Sequence, residues 1–555
     1  MSITEYNRGF NFHKKGNFPQ AEEAYRKVLT DDTKNIPALH LLGVVMIQTK
    51  RLKDGLELID KALALKPDYA EALNNRGNAL KELKRPDEAL ASYDKALALK
   101  PDYADAIFNR GLAALLIGDF SAGWSGYESR WDHNEATKRK LTAPFPVWRG
   151  ENVSDKKIIV YEEQGLGDVI HFSRYLRLLR ALGAQVTFLV RPKLHGLMQA
   201  LDQTVRVLSV YPAKENFDYQ SALLSLPLAF GTNLERIPAE TPYLHAEPER
   251  ARKWKDRLGD QGFKIGIAWQ GSKAGKVDIG RSFALAEFLG VSQLPNVRLI
   301  SLQKNEGVEQ LRELPEGMKV ETLGDDYDAG DDAFLDTAAV MENLDLIISS
   351  DTSIAHLAGA LGRPVWVALK YVPDWRWMLD RTDSPWYPSM RLFRQHTRDD
   401  WRGVYSDIED ALRELIGEAD QQAKKGRLKT PLTPISWGEL IDKITILEIK
   451  SVEIVKEPAR TNVLKELLLL QGIADTHGVC GDIADLERDL KAVNSALWRI
   501  EDAIREKERG GEFDAEFIEL ARSVYKRNDE RALIKRQINN IFDSEIVEEK
   551  SYENY

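Results

Sequence analysis

Cysteine is nearly absent: Cys480 is the single thiol in 555 residues. One thiol excludes an internal disulfide and any zinc site built on cysteine pairs. No run of about 18 apolar residues occurs, and the N-terminus MSITEYNRGF lacks the apolar stretch of a signal peptide, so the expectation is a cytoplasmic protein with no membrane span. Positive charge is not in excess either. A net charge of −10 argues against a nucleic-acid partner. The dinucleotide fingerprint is also incomplete, because Gly165-x-Gly167 has no third glycine and His171 stands beyond it.

What is present is length enough for roughly three or four domains, with 43% hydrophobic and 30% charged residues, a balance that suits soluble cores. The most informative stretch is IIVYEEQGLGDVIHFSRYLRLL, residues 158–179. Ile158 to Tyr161 read as a buried strand, Gly165 and Gly167 break it, and Val169, Phe172, Leu176 and Leu179 recur at helical spacing. A strand, glycine turn and helix in this order face the ligand crevice of an open α/β sheet. Asp168 falls at the helix N-terminus, where a carboxylate is favoured, and His171 and Tyr175 are spaced to share its face. The plain alternative is an ordinary turn with a capping aspartate.

Residues 1–131 repeat. Gly9, Gly43, Gly77 and Gly111 are spaced by 34 residues, and KPDYAEALNNRG (66–77) nearly matches KPDYADAIFNRG (100–111). Period and residue types resemble the tetratricopeptide repeat (TPR), with small residues where paired helices touch, an aromatic, and a closing proline. The resemblance implies a superhelical stack, separate from the rest of the chain, whose first helices line a concave face. Asn74, Asn75, Asn78, Asn109 and Arg110 lie on those helices as candidate acceptor-binding residues. Peptide binding and scaffolding remain alternatives.

Residues 132–157, with Pro144, Pro146 and Trp148, read as a connector. Strands are expected at 158–161 and 186–190, then, in a second set, at 265–269, 297–303, 344–350 and 364–369, with helical patterns between them. Such alternation predicts parallel sheets, hence two Rossmann-like halves, 158–258 and 259–420, facing a cleft. A basic linker comes next at 421–434, and then a helical C-terminal domain, 435–555. There Ser436 to Glu439 fit a capping box, and 483–509 and 514–542 read as a charged antiparallel helix pair. These helices and the repeats are also surfaces through which copies of the chain can associate.

The second chemical site is SSDTSIAHLAGALGRP, 349–364. A strand ends at Asp351, and Thr352 and Ser353 open a helix carrying His356. Hydroxyls and free N–H groups at a helix N-terminus suit a diphosphate. A long loop, WQGSKAGKVDIGRS (269–282), adds Gln270, Lys276 and Arg281, and Gln303 ends the strand 297–303.

EQGLGD (163–168), the loop ending at Arg281-Ser282, and DTSIAHLAGALGRPVW (351–366) together resemble the ADP-heptose:lipopolysaccharide heptosyltransferase family, glycosyltransferases of the GT-B fold. The resemblance covers about 155–418. Repeats ahead of such a domain are similar to bacterial flagellin glycosyltransferases and, more distantly, to protein O-GlcNAc transferase. The resemblance implies transfer from a nucleoside-diphosphate sugar, with Asp168 as general base, the Asp351–Thr352 pair on the donor, and Arg281, or Lys276 in its place, on the phosphates. The chemistry is coherent without a metal or cofactor, and one base opposite the leaving group implies inversion. His171 is the rival base or a partner that orients the acceptor, and Gly165, Gly167, Gln270, Gln303, Ser353 and His356 are further donor-binding candidates. Heptosyltransferases lack the repeats, so a protein acceptor on the TPR concave face is expected. A glycan acceptor with the repeats used for assembly, and an inactive scaffold, are the alternatives.

Two other segments have chemical colour. Asp326-x-Asp328 hints at a metal, but a solvated loop is expected of so dense an acidic run. Trp375, Trp377, Trp386 and Tyr387 suit stacking on a sugar or base, and equally suit packing under a loop.

Overall fold

The structure, a computed structural model, describes residues 2–132, 140–273, 280–424, 435–476, 483–544 and 546. Lys276, Cys480 and most of the expected linker lie outside the described residues. The chain divides into two compact units, Met1–Gln421 and Gln422–Tyr555.

Eight helices open the first unit: α1 Ser2–Lys14, α2 Phe18–Asp31, α3 Ile36–Gln48, α4 Leu52–Leu65, α5 Ala70–Glu82, α6 Pro86–Leu99, α7 Ala104–Leu116 and α8 Phe120–Tyr127. They pack as consecutive antiparallel pairs, and the repeat glycine is where each pair touches. A Cβ on Gly77 would lie 2.5 Å from the Tyr93 ring, so only glycine lets α5 and α6 approach this closely.

Two parallel sheets come after the helices. The first has the order β3-β2-β1-β4, from β1 Lys157–Tyr161, β2 Gln185–Leu189, β3 Arg206–Leu208 and β4 Tyr219–Ala222. Ile158 pairs with Val186 on one side and Tyr219 on the other. The second has the order β6-β5-β7-β8-β9, from β5 Phe263–Ala268, β6 Val297–Ser301, β7 Leu346–Ser350, β8 Val365–Leu369 and β9 Met390–Arg394. Strands β7 and β8 are buried along their whole length, which is why they read as unbroken apolar runs. Chain order reverses between β1 and β4, and between β5 and β7. Ligands of open parallel sheets gather at such reversals, beyond the carboxyl ends of the strands. Strand β1 runs into the turn holding Asp168, β5 into the loop holding Arg281, and β7 into Asp351.

The described part of the connector is anchored to this sheet, since Trp148 is buried and its N–H donates to Gln220 O at 2.9 Å. The repeats are not the separate stack expected. Phe120, Trp124 and Tyr127 of α8 belong to the same core cluster as Phe172, Trp375 and Trp386 of the α/β halves. Trp124 meets Trp375 edge-on at 5.2 Å, and its indole N–H donates to Thr232 O at 2.9 Å. The earlier repeats also touch the second half: Lys50 pairs with Asp399 at 2.8 Å, and the Lys84 ammonium lies 4.1 Å from the Tyr371 ring centre.

The helix Trp401–Lys424 runs into the expected linker. The second unit consists of the helices Trp437–Glu453, Ala459–Thr476, Ala484–Gly510 and Ala515–Ile541. Ser436 caps the first by accepting from Glu439 N at 3.2 Å. Leu440, Ile441, Ile444, Leu490 and Ile538 fill its core. Within that core the buried Asp442 accepts from Asn494 and Arg531, each at 2.8 Å.

Candidate active site

The turn after β1 leads into a helix, Leu166–Phe172, with Asp168 at its third position. The Asp168 carboxylate reaches back to accept from Gly165 N at 2.9 Å, as an acidic residue in the first helical turn does. The turn after β7 leads into the helix Ser353–Ala360, with Thr352 as its extended N-cap. These two helix starts meet. A Cβ on Gly167 would stand 3.0 Å from His356 and 3.3 Å from Ser353 Cα. Glycine at 167 therefore brings the Asp168 turn against the Thr352–Ser353 N–H groups.

Arg376 holds the two sides together. Its Nη2 donates to Asp168 Oδ1 at 2.6 Å and its Nη1 to Asp374 Oδ1 at 2.8 Å. The guanidinium is buried, 4.4 Å from the Trp375 ring centre and 5.3 Å from that of Phe172. Asp168 itself retains 22% side-chain exposure. Asp351 is half-buried; burial and the neighbouring Asp374 carboxylate push it up to about 6, with the Arg281 and Arg376 guanidiniums pulling the other way. Arg281 packs over Gly271, so a cation faces Asp351 from the β5 loop.

Beneath this surface lies a polar cluster that spans both halves. The Tyr387 hydroxyl sits 2.9 Å from His171 Nδ1 and 3.0 Å from His356 Nδ1. One hydroxyl can donate to only one of them, so the other imidazole donates to the tyrosine oxygen. Both histidines are held well below their ordinary range, first by burial and then by nearby arginines, so both are neutral rings. His356 stacks on Trp377 at 5.3 Å. Arg174 lies under Tyr387 and Tyr243 and donates to Trp386 O at 2.7 Å.

The region matches known proteins. Residues 230–370 match Glycosyltransferase family 9 (heptosyltransferase). The chain carries a glycosyltransferase domain. Residues 12–76 and 70–103 match tetratricopeptide repeats, and 432–555 match a family of unknown function (DUF6165). Protein FlbA of Caulobacter vibrioides is 27% identical over 402 residues, 67% of this chain; the chain spans 66% of that relative's length. Among solved structures, MamA is 28% identical over 24% of this chain and 72% of its own, with a TM-score of 0.22. PilW, a type IV pilus biogenesis factor, is 28% identical over 24% and 61%, with a TM-score of 0.23.

The glycosyltransferase domain and the turn before it place the predicted residues unequally. Gly165, Gly167, Asp168, Asp351, Thr352, Ser353 and Arg281 come together. Thr352 Oγ1 lies 3.2 Å from Ser349 Oγ. Gln303 is a bracket for the backbone: its side chain accepts from Trp269 N and Gln270 N and donates to Gln270 O and Glu306 O. Gln270 is buried and accepts from Gln310.

Three expectations are corrected. Asp168, His171 and Tyr175 do not converge on one site: Asp168 turns to Arg376 and His171 down to Tyr387, while Tyr175, past the helix break at Ser173, turns to Thr232. His171 as rival base is fully buried against Trp386 and Phe172, out of reach of an acceptor. The acidic loop is not simply solvated: Asp326 pairs with Arg257 at 2.9 Å, while Asp328 accepts from Asp336 N at 2.8 Å and holds the helix Leu335–Met341. Among the described residues no group of three or more His, Cys, Asp or Glu is arranged to hold a metal. Trp375, Trp377, Trp386 and Tyr387 are all core residues, which decides between stacking and packing. The five repeat residues all have partners inside the stack. Asn109 donates to Asn74 at 3.0 Å, Asn75 meets His40 at 2.8 Å, Asn78 accepts from Tyr93 at 2.8 Å and Arg110 donates to Asp94 at 2.6 Å.

Arg376 was not among the predicted site residues. It is hidden in WRW, between two tryptophans that mark the segment as core. Its one signal is Asp374 two positions earlier, an anion beside a cation in an otherwise aromatic run.

Proposed function

We propose that the chain is a metal-independent, inverting glycosyltransferase that moves a sugar from a nucleoside diphosphate to a hydroxyl of a protein engaged by the repeats. The observation that carries this reading is the approach of the Gly167–Asp168 turn to the Thr352–Ser353 helix start. It puts a partly exposed carboxylate beside an anion-binding backbone, as transfer away from a diphosphate requires.

In the reaction so read, the acceptor oxygen bonds to the anomeric carbon and its proton passes to Asp168. The bond from that carbon to the phosphate oxygen breaks, and its electron pair leaves on the nucleoside diphosphate. Arg281 and the N–H groups of the 353–360 helix stabilise that charge. One base acting opposite one leaving group inverts the anomeric centre. Asp351 is positioned to accept from sugar hydroxyls.

The test is intact-mass analysis of candidate acceptor proteins coexpressed with and without this chain, alongside calorimetry with nucleoside diphosphates with and without chelator. The expected result is a hexose- or heptose-sized mass increment on a protein and chelator-independent binding. Increments on glycans alone move the acceptor to a glycan, and binding that vanishes with chelator overturns metal independence.

A further inference from the structure

Asp168 is gripped at both oxygens, and the two grips come from different halves. Oδ2 accepts from Gly165 N at 2.9 Å, within its own turn. Oδ1 accepts from Arg376 Nη2 at 2.6 Å, from the segment after β8. Two such bonds fix the carboxylate plane and leave each oxygen further lone pairs for a hydroxyl proton.

Arg376 is itself shared. Asp374 accepts from its Nη1 at 2.8 Å and from its backbone N at 3.0 Å. The Arg376 Nε has no hydrogen-bond partner among the described residues, although it is buried. A buried donor left unpaired costs stability, so this guanidinium is not placed for stability alone. It is one cation between two carboxylates, of which Asp168 is the less exposed, at 22% against 38% for Asp374.

Resting on the transferase reading, we propose that Arg376 is a positioning residue for the base: it orients Asp168 toward the acceptor hydroxyl, and Asp374 sets how much of its charge Asp168 feels. Base geometry then depends on both halves of the fold at once. Removing the cation frees the carboxylate to rotate out of line with the acceptor hydroxyl.

The ionisable groups around the pair are Tyr127 from α8, His171 on the helix of Asp168, His356 and Asp351 at the 353–360 helix, Asp374, and Arg281 and Arg174 beyond them. Tyr127 is raised and both histidines are lowered, each first by burial, so none of the three changes charge between about pH 6 and 9. Asp351, pushed up to about 6, does titrate near that range. It belongs to donor binding and registers in the donor KM.

The experiment measures kcat and donor KM for the full chain and for Arg376→Met and Arg376→Lys, with donor hydrolysis or transfer as readout. Arg376→Met is expected to lower kcat by about 10²-fold, with little change in donor KM. Arg376→Lys restores part of kcat. Should Arg376→Met fail to fold by circular dichroism, Arg376→Lys, which keeps the charge but not the fork, carries the test alone through the split between kcat and KM. A wild-type enzyme that turns over while the folded variants keep its kcat overturns the proposal alone. A change confined to donor KM does so too, and makes Arg376 a donor contact. A wild-type chain without turnover on any nucleotide sugar overturns the transferase reading and this proposal with it.

Discussion

Arg130 and Glu163 form a bidentate ion pair, with Nε 2.8 Å from Oε2 and Nη2 2.9 Å from Oε1, and neither side chain is more than 2% exposed. Arg130 closes the last repeat, and Glu163 opens the turn that carries Asp168. Leu224 N and Ser225 Oγ complete the network, so repeats and glycosyltransferase fold share one interior. Glu163→Leu leaves the buried guanidinium with Glu128 as its remaining counter-charge, and the expected loss is about 3 kcal/mol. Thermal melting of Glu163→Leu, Arg130→Met and the double variant checks it. The double variant should lose less than the two single losses combined, and strict additivity would mean the pair is not coupled.

Truncation should respect the same joint. Deleting residues 1–34 removes α1 and α2, which pack on each other and on α3, and the remaining chain is expected to fold and keep donor binding. Deleting 1–131 tears Phe120, Trp124 and Tyr127 from the shared core and is expected to yield insoluble or unfolded protein. A well-folded, donor-binding product of the second deletion would show that the joint is dispensable.

Asp168→Asn keeps the size and the hydrogen bond from Gly165 but removes the proton acceptor. The expected fall in kcat is about 10²–10⁴-fold, with donor affinity within a few-fold by calorimetry. His171→Ala opens a hole between Trp386 and Phe172, so its effect should fall first on melting temperature. Near-normal turnover in folded Asp168→Asn would remove Asp168 from the chemistry.

Asp351 gives a pH signature. Its folded value, about 6, lies above its ordinary 3.8, so the folded chain holds this proton more tightly than the unfolded one. The stabilising effect of the proton is fully present below about pH 4 and is lost as pH rises through about 6. Relative to Asp351→Asn, the wild type is expected to lose melting temperature between those values and to run parallel above them. Melts from pH 4 to 8 decide the point, and a constant offset would mean the burial of Asp351 is not felt.

The repeats were legible because Gly77 and its equivalents recur where helices touch, and β1, β5, β7 and β8 because strands buried on both faces are continuously apolar. Strands β3 and β4 escaped notice because Tyr219–Ala222 is mostly polar; Gln220 is buried only because its amide donates to Ala143 O and Phe145 O. Strand β9 is an edge strand whose arginines interrupt its apolar residues. The break at Ser173 was invisible because apolar spacing continues across it. Asp168 and Thr352 could be picked out from turn chemistry alone. Arg376 could not, since its role comes from a partner 208 positions away in the chain.

The Tyr387 hydroxyl, shared by one imidazole from each half, has a consequence for how the crevice operates. Parting the halves would break the His171 bond and leave that ring nitrogen bare in an oily seam, while Tyr387 and His356 stay paired within the second half. The cost is about 1–3 kcal/mol for the group left bare. That penalty biases the two halves toward staying shut, and it acts from beneath the crevice rather than across its mouth.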